Sequence, residues 1–527
     1  MTGFLRPADT PAGRRAWLAG LCESIPKAGS KNDLLDLIDS ALSVSAPKGD
    51  VGTLETLSKK YRDQVDKAGD VYDRVDRVSR KGLPEVWVGD TSVLASDVVA
   101  AAARAATQLA EAFQGGAMVL LALADAVKDA QQRDGDGRGK LQDAKSKLGG
   151  RDGFFDDLHE NDDEENDRLT ARFFASDGVG LMHAAAVAEE EAVRIAARDL
   201  NKWTSEARAG KLDTSELTAV DRLMLADTSA VDGDPEMNEI LSAGDLERAA
   251  RRMDQLNLDD EAAMERMLSH SDSAQERAYL MKALASGHSV QEIEAFQGKI
   301  HGKDPEWMRR HLTPVVTEAD SLDDEGLAKD GSNNNKDSVT FDGQAWIQGG
   351  NGSEGTCVAS STVTARAMVD PVYALDLTGG PSGQEDDPKA FRDRLVAEQH
   401  RLHTEGDGGA NWGGMGQEGQ ERIADSAIGS ATGNDYQRHD LNNADERRAV
   451  LTDVEKAVAE GRPVPVDVSG SNGAHAMTII AQEGDMLQVY NPWGTTTWVS
   501  EDDFINGNMG KASSSDLPNA YQVYVPQ

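Results

Sequence analysis

Three side chains in the last third of the chain have the types and spacing of a nucleophilic site. Cys357 follows a glycine-rich loop, GGNGSEGT, and opens a small-residue segment that reads as a helix. His475 stands at the start of one short apolar run, and Asn491 ends the next, inside NPWG. A thiol in the first turn of a helix meets unpaired backbone N–H groups and the positive end of the macrodipole, and both favour the thiolate. An imidazole beside it can take the proton and return it, while a carboxamide holds the ring by its other nitrogen. Gln348, upstream of the cysteine, could donate its amide to an oxyanion beside the Cys357 N–H. Trp493, on the same strand face as Asn491, would cover the Asn–His hydrogen bond.

A hairpin must position the last two. The apolar runs flank Gln482, Glu483, Gly484 and Asp485, which supply a turn, so each run predicts a strand. A register centred on Glu483 sets His475 opposite Asn491, Met477 opposite Val489 and Ile479 opposite Leu487, on one face. A slip of one residue would send His475 and Asn491 to opposite faces.

The order Gln, Cys, His, Asn, with the Cys on a helix and the other two on a later hairpin, resembles the papain-like cysteine peptidases. NPWG and the Gly-x-His context of His475 look most like the calpain branch. The resemblance covers about residues 340–527. It implies that Cys357 is the nucleophile, His475 the general base and acid, and Asn491 the orienting residue. It also implies a helical lobe and a β lobe with a cleft between, and hydrolysis through a thioester acyl-enzyme. Two departures stand out. The family's Gln usually lies six residues before the Cys. That position is Asn351 here, so the oxyanion donor is Gln348 or Asn351. Val358 stands where the family often has an aromatic residue.

The rest of the chain bounds this reading. Its 527 residues suggest roughly two to four domains. With 54 Lys and Arg against 92 Asp and Glu, the net charge is −38, which argues against binding a nucleic-acid backbone. Two cysteines, Cys22 and Cys357, exclude a disulfide framework and a cysteine-rich zinc site. Cys22 reads as a buried helix residue. The first residues lack the apolar core of a secretory signal. The longest apolar run, Gly115 to Ala124, is short of the roughly 20 residues of a membrane span.

The expected architecture is multidomain: mostly α N-terminal and central regions, a helical hairpin or bundle, followed by an α+β papain-like peptidase domain. The expected regions are 1–150, helical; 168–312, helical and of unknown role; and 335–527, the peptidase. The acidic run from Asp156 to Asp167 and the polar run from Glu318 to Ser338 read as linkers. Within the first region, two helical patterns flank Trp87, Val88 and Gly89. A helix, a Trp-x-Gly turn and a second helix resemble the WXG100 hairpins. Those are type VII secretion substrates, also found at the N-termini of larger effectors. The family's Tyr-x-x-x-Asp/Glu export element follows the second helix, whereas the match here, Tyr72 to Asp76, lies in the first.

Other motifs are set aside. GNGSEG, Gly350 to Gly355, has the spacing of a dinucleotide loop with Asp370 downstream, but the flanking segments do not make a βαβ unit. DGDGRG, Asp134 to Gly139, fails as a calcium loop at Arg138 and Lys145 and reads as a turn. His159-Glu160 does not extend to a zinc-peptidase motif.

The leading expectation is a cysteine endopeptidase acting on proteins or peptides, with no cofactor and no metal. Its expected partners are a secretion-machinery or WXG-type helical protein and an inhibitory immunity protein, with no nucleic acid and no membrane span. Its expected localisation is secretion without a signal peptide, by a type VII route, as an effector or toxin, or otherwise the cytoplasm. Two alternatives keep the fold: transglutaminase- or deamidase-type acyl transfer on the same triad, or an inactive papain-like binding module on a helical scaffold.

Overall fold

The computed structural model describes residues 10–78, 90–151, 162–211, 240–313, 319, 336–380, 382–383, 387–407 and 412–527. The Trp87-Val88-Gly89 turn and His159-Glu160 lie outside the described residues. The described chain is helical first and then α+β with an antiparallel sheet.

The first unit contains α1 (Pro11–Ser24), α2 (Lys31–Leu42), α3 (Val51–Arg77), α4 (Asp90–Leu148) and α5 (Asp162–Lys211). Side-chain caps fix several starts: Thr10 accepts from Gly13, Ser30 from Asp33 and Asp50 from Thr53. α4 packs against both α3 and α5. Leu18, Ile38, Leu141, Ala175 and Met182 share one core, so α5 belongs with the helices before it. The boundary expected near residue 150 therefore falls within one packed unit. The last residues of the expected acidic linker, from Asp162, form the first turns of α5, where carboxylates suit the helix dipole.

The turn expected at Asp134–Gly139 is instead the interior of α4. Of the three glycines there, Gly137 is there for close approach, whereas Gly135 and Gly139 face open space. A Cβ on Gly137 would lie 2.6 Å from the Gly178 carbonyl oxygen, and one on Gly178 would lie 2.8 Å from the Gly137 oxygen. Two helices crossing this tightly need hydrogen at both positions. Asp134 binds Arg138 at 2.6 Å, and Arg138 also donates to the carbonyls of Leu42 and Val44. Continuous helix also makes the apolar stretch longer than the run counted in the sequence. By length and composition alone, Leu109–Leu148 is long and apolar enough to cross a membrane, with a mean hydropathy of 1.3 in its most apolar stretch, 39% of which is buried here, and the core helix of a globular fold meets the same description.

Helices α6 (Ala243–Met253), α7 (Leu258–Ser269), α8 (Ala274–Ala285), α9 (Val290–Ile300) and α10 (Pro305–Leu312) form a second core that extends to Leu375. Leu375 belongs to α12 (Pro371–Thr378), which directly follows α11 (Cys357–Val369).

The α+β part holds β1 (Asp337–Ser338), β2 (Thr340–Phe341), β3 (Gln344–Ala345), β4 (Tyr436–Asp440), β5 (Val464–Gly470), β6 (Gly473–Glu483), β7 (Met486–Asn491), β8 (Thr495–Ser500) and β9 (Asn519–Pro526). Seven strands form one sheet in the order β1-β8-β7-β6-β5-β9-β4. One face packs on α15 (Ala444–Ala459) through Val466, Val468, Met477, Ile479 and Val454. The other meets α11, α13 (Pro388–Asp407) and α14 (Gln417–Ile423) through Ala359, Val363, Leu395, Ile423, Ala476 and Tyr490. Alternation along β5 and β6 assigns the faces: Val464, Val466 and Val468 go to one side, Asp467 and its partner Ala476 to the other.

The helical units grip the α+β part away from Cys357. Arg198 binds Glu483 at 2.8 Å and the Ala12 N–H binds Asp485 at 3.0 Å, both at the tip of the β6–β7 hairpin. His288 binds Asp370 at 2.8 Å, and Ser286 donates to the Val369 carbonyl. Those residues end α11, about 18 Å along the helix from Cys357 at 1.5 Å per residue. Asp370 also caps α12 through the N–H groups of Val372 and Tyr373, a structural role.

Candidate active site

Strand register brings His475 and Asn491 together by a route the sequence did not indicate. The hairpin closes at Glu483 opposite Met486, and Gln482 pairs with Leu487. That register alone would set Asn491 opposite Thr478, three residues from His475 and on the wrong face. A bulge at Ile480 inserts one residue into β6, after which Ile479 pairs with Val489 and Thr478 with Tyr490. Asn491 then falls opposite Met477, two residues from His475, on the same face. The direct pairing expected for His475 and Asn491 is thus a diagonal one, and the bulge restores the parity it needs.

The contact itself is well defined. His475 Nε2 lies 2.9 Å from Asn491 Oδ1. Asn491 Nδ2 donates to the Ala512 carbonyl at 2.8 Å, which fixes the amide's orientation. Oδ1 can only accept, so Nε2 carries the hydrogen and Nδ1 of the neutral ring keeps a free lone pair. Trp493 stacks on the imidazole with centroids 4.3 Å apart, and the Trp493 backbone N–H also donates to Asn491 Oδ1. Burial holds the His475 pKa down to about 4, only partly opposed by the Asn491 hydrogen bond. The ring is therefore neutral near pH 7, with a base at Nδ1.

Cys357 is the first residue of α11. Thr356 precedes it without capping the helix, because its hydroxyl accepts from the Gly349 N–H at 3.2 Å instead. The first-turn N–H groups stay open to the thiol, which also meets the N–H of Ala476, the residue after His475. Among the described residues no hydrogen bond joins the thiol to the imidazole. Burial pushes the Cys357 thiol up, outweighing the N–H groups of Ala476, Val358 and Cys357 itself, and Asp467 adds to the rise. Burial thus favours the neutral form of both the Cys357 thiol and the His475 imidazole. The thiolate expected from helix position alone loses to desolvation.

The loop before Cys357 is braced on both sides. Gln348 N–H binds the Pro492 carbonyl at 2.8 Å, and Tyr490 OH donates to the Trp346 carbonyl at 3.0 Å. The Gly355 N–H binds the Trp412 carbonyl at 2.7 Å, where a Cβ would strike the Gly413 backbone. Gln348 spends both amide hydrogens inside this loop, on the carbonyls of Gly352 at 3.0 Å and Glu354 at 2.6 Å. The expected oxyanion donor is thus engaged as a loop brace. Asn351 is exposed on the loop with φ of 54°, a left-handed conformation that Asn tolerates.

Asp467 is a site residue that sequence reasoning missed. It faces α11 from β5, is 1% exposed, and lies close enough to raise the thiol. The signal was present: a carboxylate alternates with valines in VPVDVSG, where a buried strand should be apolar on both faces. Cys22 is partly buried against the first helical core, which raises its thiol pKa. In comparisons with known protein families, curated proteins and solved structures, the chain matches none.

Proposed function

We propose that residues 336–527 form a papain-like cysteine peptidase with Cys357, His475 and Asn491 as its triad. The observation that carries this reading is the Asn491–His475 hydrogen bond under Trp493. It fixes the tautomer with Nδ1 free, beside a strand whose next N–H meets the Cys357 thiol. Nδ1 takes the thiol proton as sulfur attacks the scissile carbonyl carbon. The tetrahedral oxyanion faces the Cys357 N–H at the open end of α11. Collapse breaks the C–N bond, and the amine leaves with the proton from His475. Water, deprotonated at the same nitrogen, then cleaves the thioester to acid and free thiol.

Incubating the full chain with a peptide mixture tests this by mass spectrometry. New peptide termini should form with wild type and vanish with Cys357→Ser and His475→Ala. Amide products on adding a primary amine would move the activity to acyl transfer. A Cys357 that turns nothing over, and reacts with peptidyl electrophiles no faster than Cys22, would sink the peptidase.

One observation favours the inactive binding module: Gln348 has no amide hydrogen left for an oxyanion. Tight peptide binding without turnover would select it. The packed pair α3 and α4 supports a second proposal, that this hairpin is a WXG-type delivery element. Export from the native host that survives Trp87→Ala would remove it.

A further inference from the structure

Asp467 is a buried carboxylate with a missing partner. Its hydrogen bond comes from Gln420, and Oδ2 is buried with none. Among the described residues no arginine, lysine or histidine acts on its charge. A carboxylate oxygen enclosed and unmatched is costly, and its presence calls for a ligand group. Burial with so little compensation pushes its pKa up to about 7.

Its location says what that group belongs to. Asp467 pairs with Ala476 across β5 and β6, and the Ala476 N–H meets the Cys357 thiol. The carboxylate is therefore about one strand spacing, roughly 4.8 Å, from the strand that touches the nucleophile. A second irregularity lies beside it. β5 pairs Asp467 with Gln522 and Val468 with Ala520, so Tyr521 is the extra residue of a bulge in β9. Bulges re-aim side chains and cluster beside active sites. Tyr521 is partly exposed, and both Asp467 and Cys357 act on its hydroxyl. An aromatic ring so placed is a suitable neighbour for a cation.

We propose that Asp467, with Tyr521 and Gln420, forms a recognition site for a cationic substrate side chain, a guanidinium or an ammonium, beside the Cys357 thiol. This rests on Cys357 being the nucleophile of a peptide-cleaving site. The cation satisfies Oδ2 and cancels the negative charge that raises the thiol. Recognition and activation of the nucleophile are thereby one event, and a neutral side chain forgoes both.

Peptidyl fluoromethyl ketones test this without requiring turnover. Probes carry arginine, its neutral isostere citrulline, or glutamate, one or two residues before the warhead. Labelling of Cys357 in the full chain is timed by mass spectrometry, with Cys22 as reference. About 0.5 M salt screens the field of the net charge. At one of the two positions, arginine should outrun citrulline by about tenfold or more, as expected for a hydrogen bond to a charged group, with glutamate slowest. In Asp467→Asn the arginine and citrulline rates should converge. Equal rates in wild type, both well above Cys22, would overturn the cation site and leave the nucleophile standing. Labelling of Cys357 no faster than Cys22 by any probe would overturn both.

Discussion

Replacing Asp467 by asparagine should change how stability depends on pH, by an amount the structure sets. The Asp467 pKa moves from the ordinary 3.8 to about 7 on folding. A raised folded pKa means that the native state holds the proton more tightly. Its contribution is fully present below pH 3.8 and is lost as pH rises through 7. Roughly three pH units at about 1.4 kcal/mol each make about 4 kcal/mol. His475 works in the opposite sense. Its pKa falls from 6.5 to about 4, so its contribution is present above pH 6.5 and is lost as pH falls toward 4, a matter of about 3 kcal/mol. Between pH 4 and 6.5 the two slopes nearly cancel in the wild-type chain. Asparagine mimics the protonated carboxyl, so Asp467→Asn should match wild type near pH 4 and exceed it by about 4 kcal/mol above pH 7. Urea unfolding of both chains at half-unit steps from pH 4 to 8 measures the difference, in which all shared titrations drop out. A difference that stays flat within about 1 kcal/mol would refute the argument, because it would mean that Asp467 ionises as freely in the fold as in water.

Three further outcomes follow from the geometry. Asn491→Ala should lower kcat/KM about 10- to 100-fold with little change in KM, as expected for removing a buried hydrogen bond that aims His475; steady-state kinetics on any cleaved peptide reads this. Trp493→Ala should let water onto the imidazole and raise the His475 pKa from about 4 toward 6.5, visible as a shifted acid limb in the pH dependence of Cys357 labelling. Gly137→Ala should destabilise the helical unit by about 1–3 kcal/mol, since its Cβ would enter the Gly178 backbone, whereas Gly139→Ala, with open space, should not; thermal unfolding of the two variants compares them.

The sequence determined whatever depends on near neighbours along the chain. Two short apolar runs flanking the turn at Glu483–Asp485 specified the β6–β7 hairpin, and the small residues after Cys357 specified α11, because run length and turn composition are local properties. Tertiary contact decided the rest. The β6 bulge at Ile480, not the turn, sets the parity that joins His475 to Asn491, and nothing in that apolar run marks where an extra residue goes. The glycines of DGDGRG read as a turn by composition, but Gly137 serves a helix crossing, because a partner 41 residues away, Gly178, supplies the reason for its missing side chain. The Cys357 thiol belongs by sequence to a helix start that favours its anion, yet burial against β5 and β6 favours the neutral form. Desolvation depends on everything that surrounds a group, and a sequence names only what lies beside it.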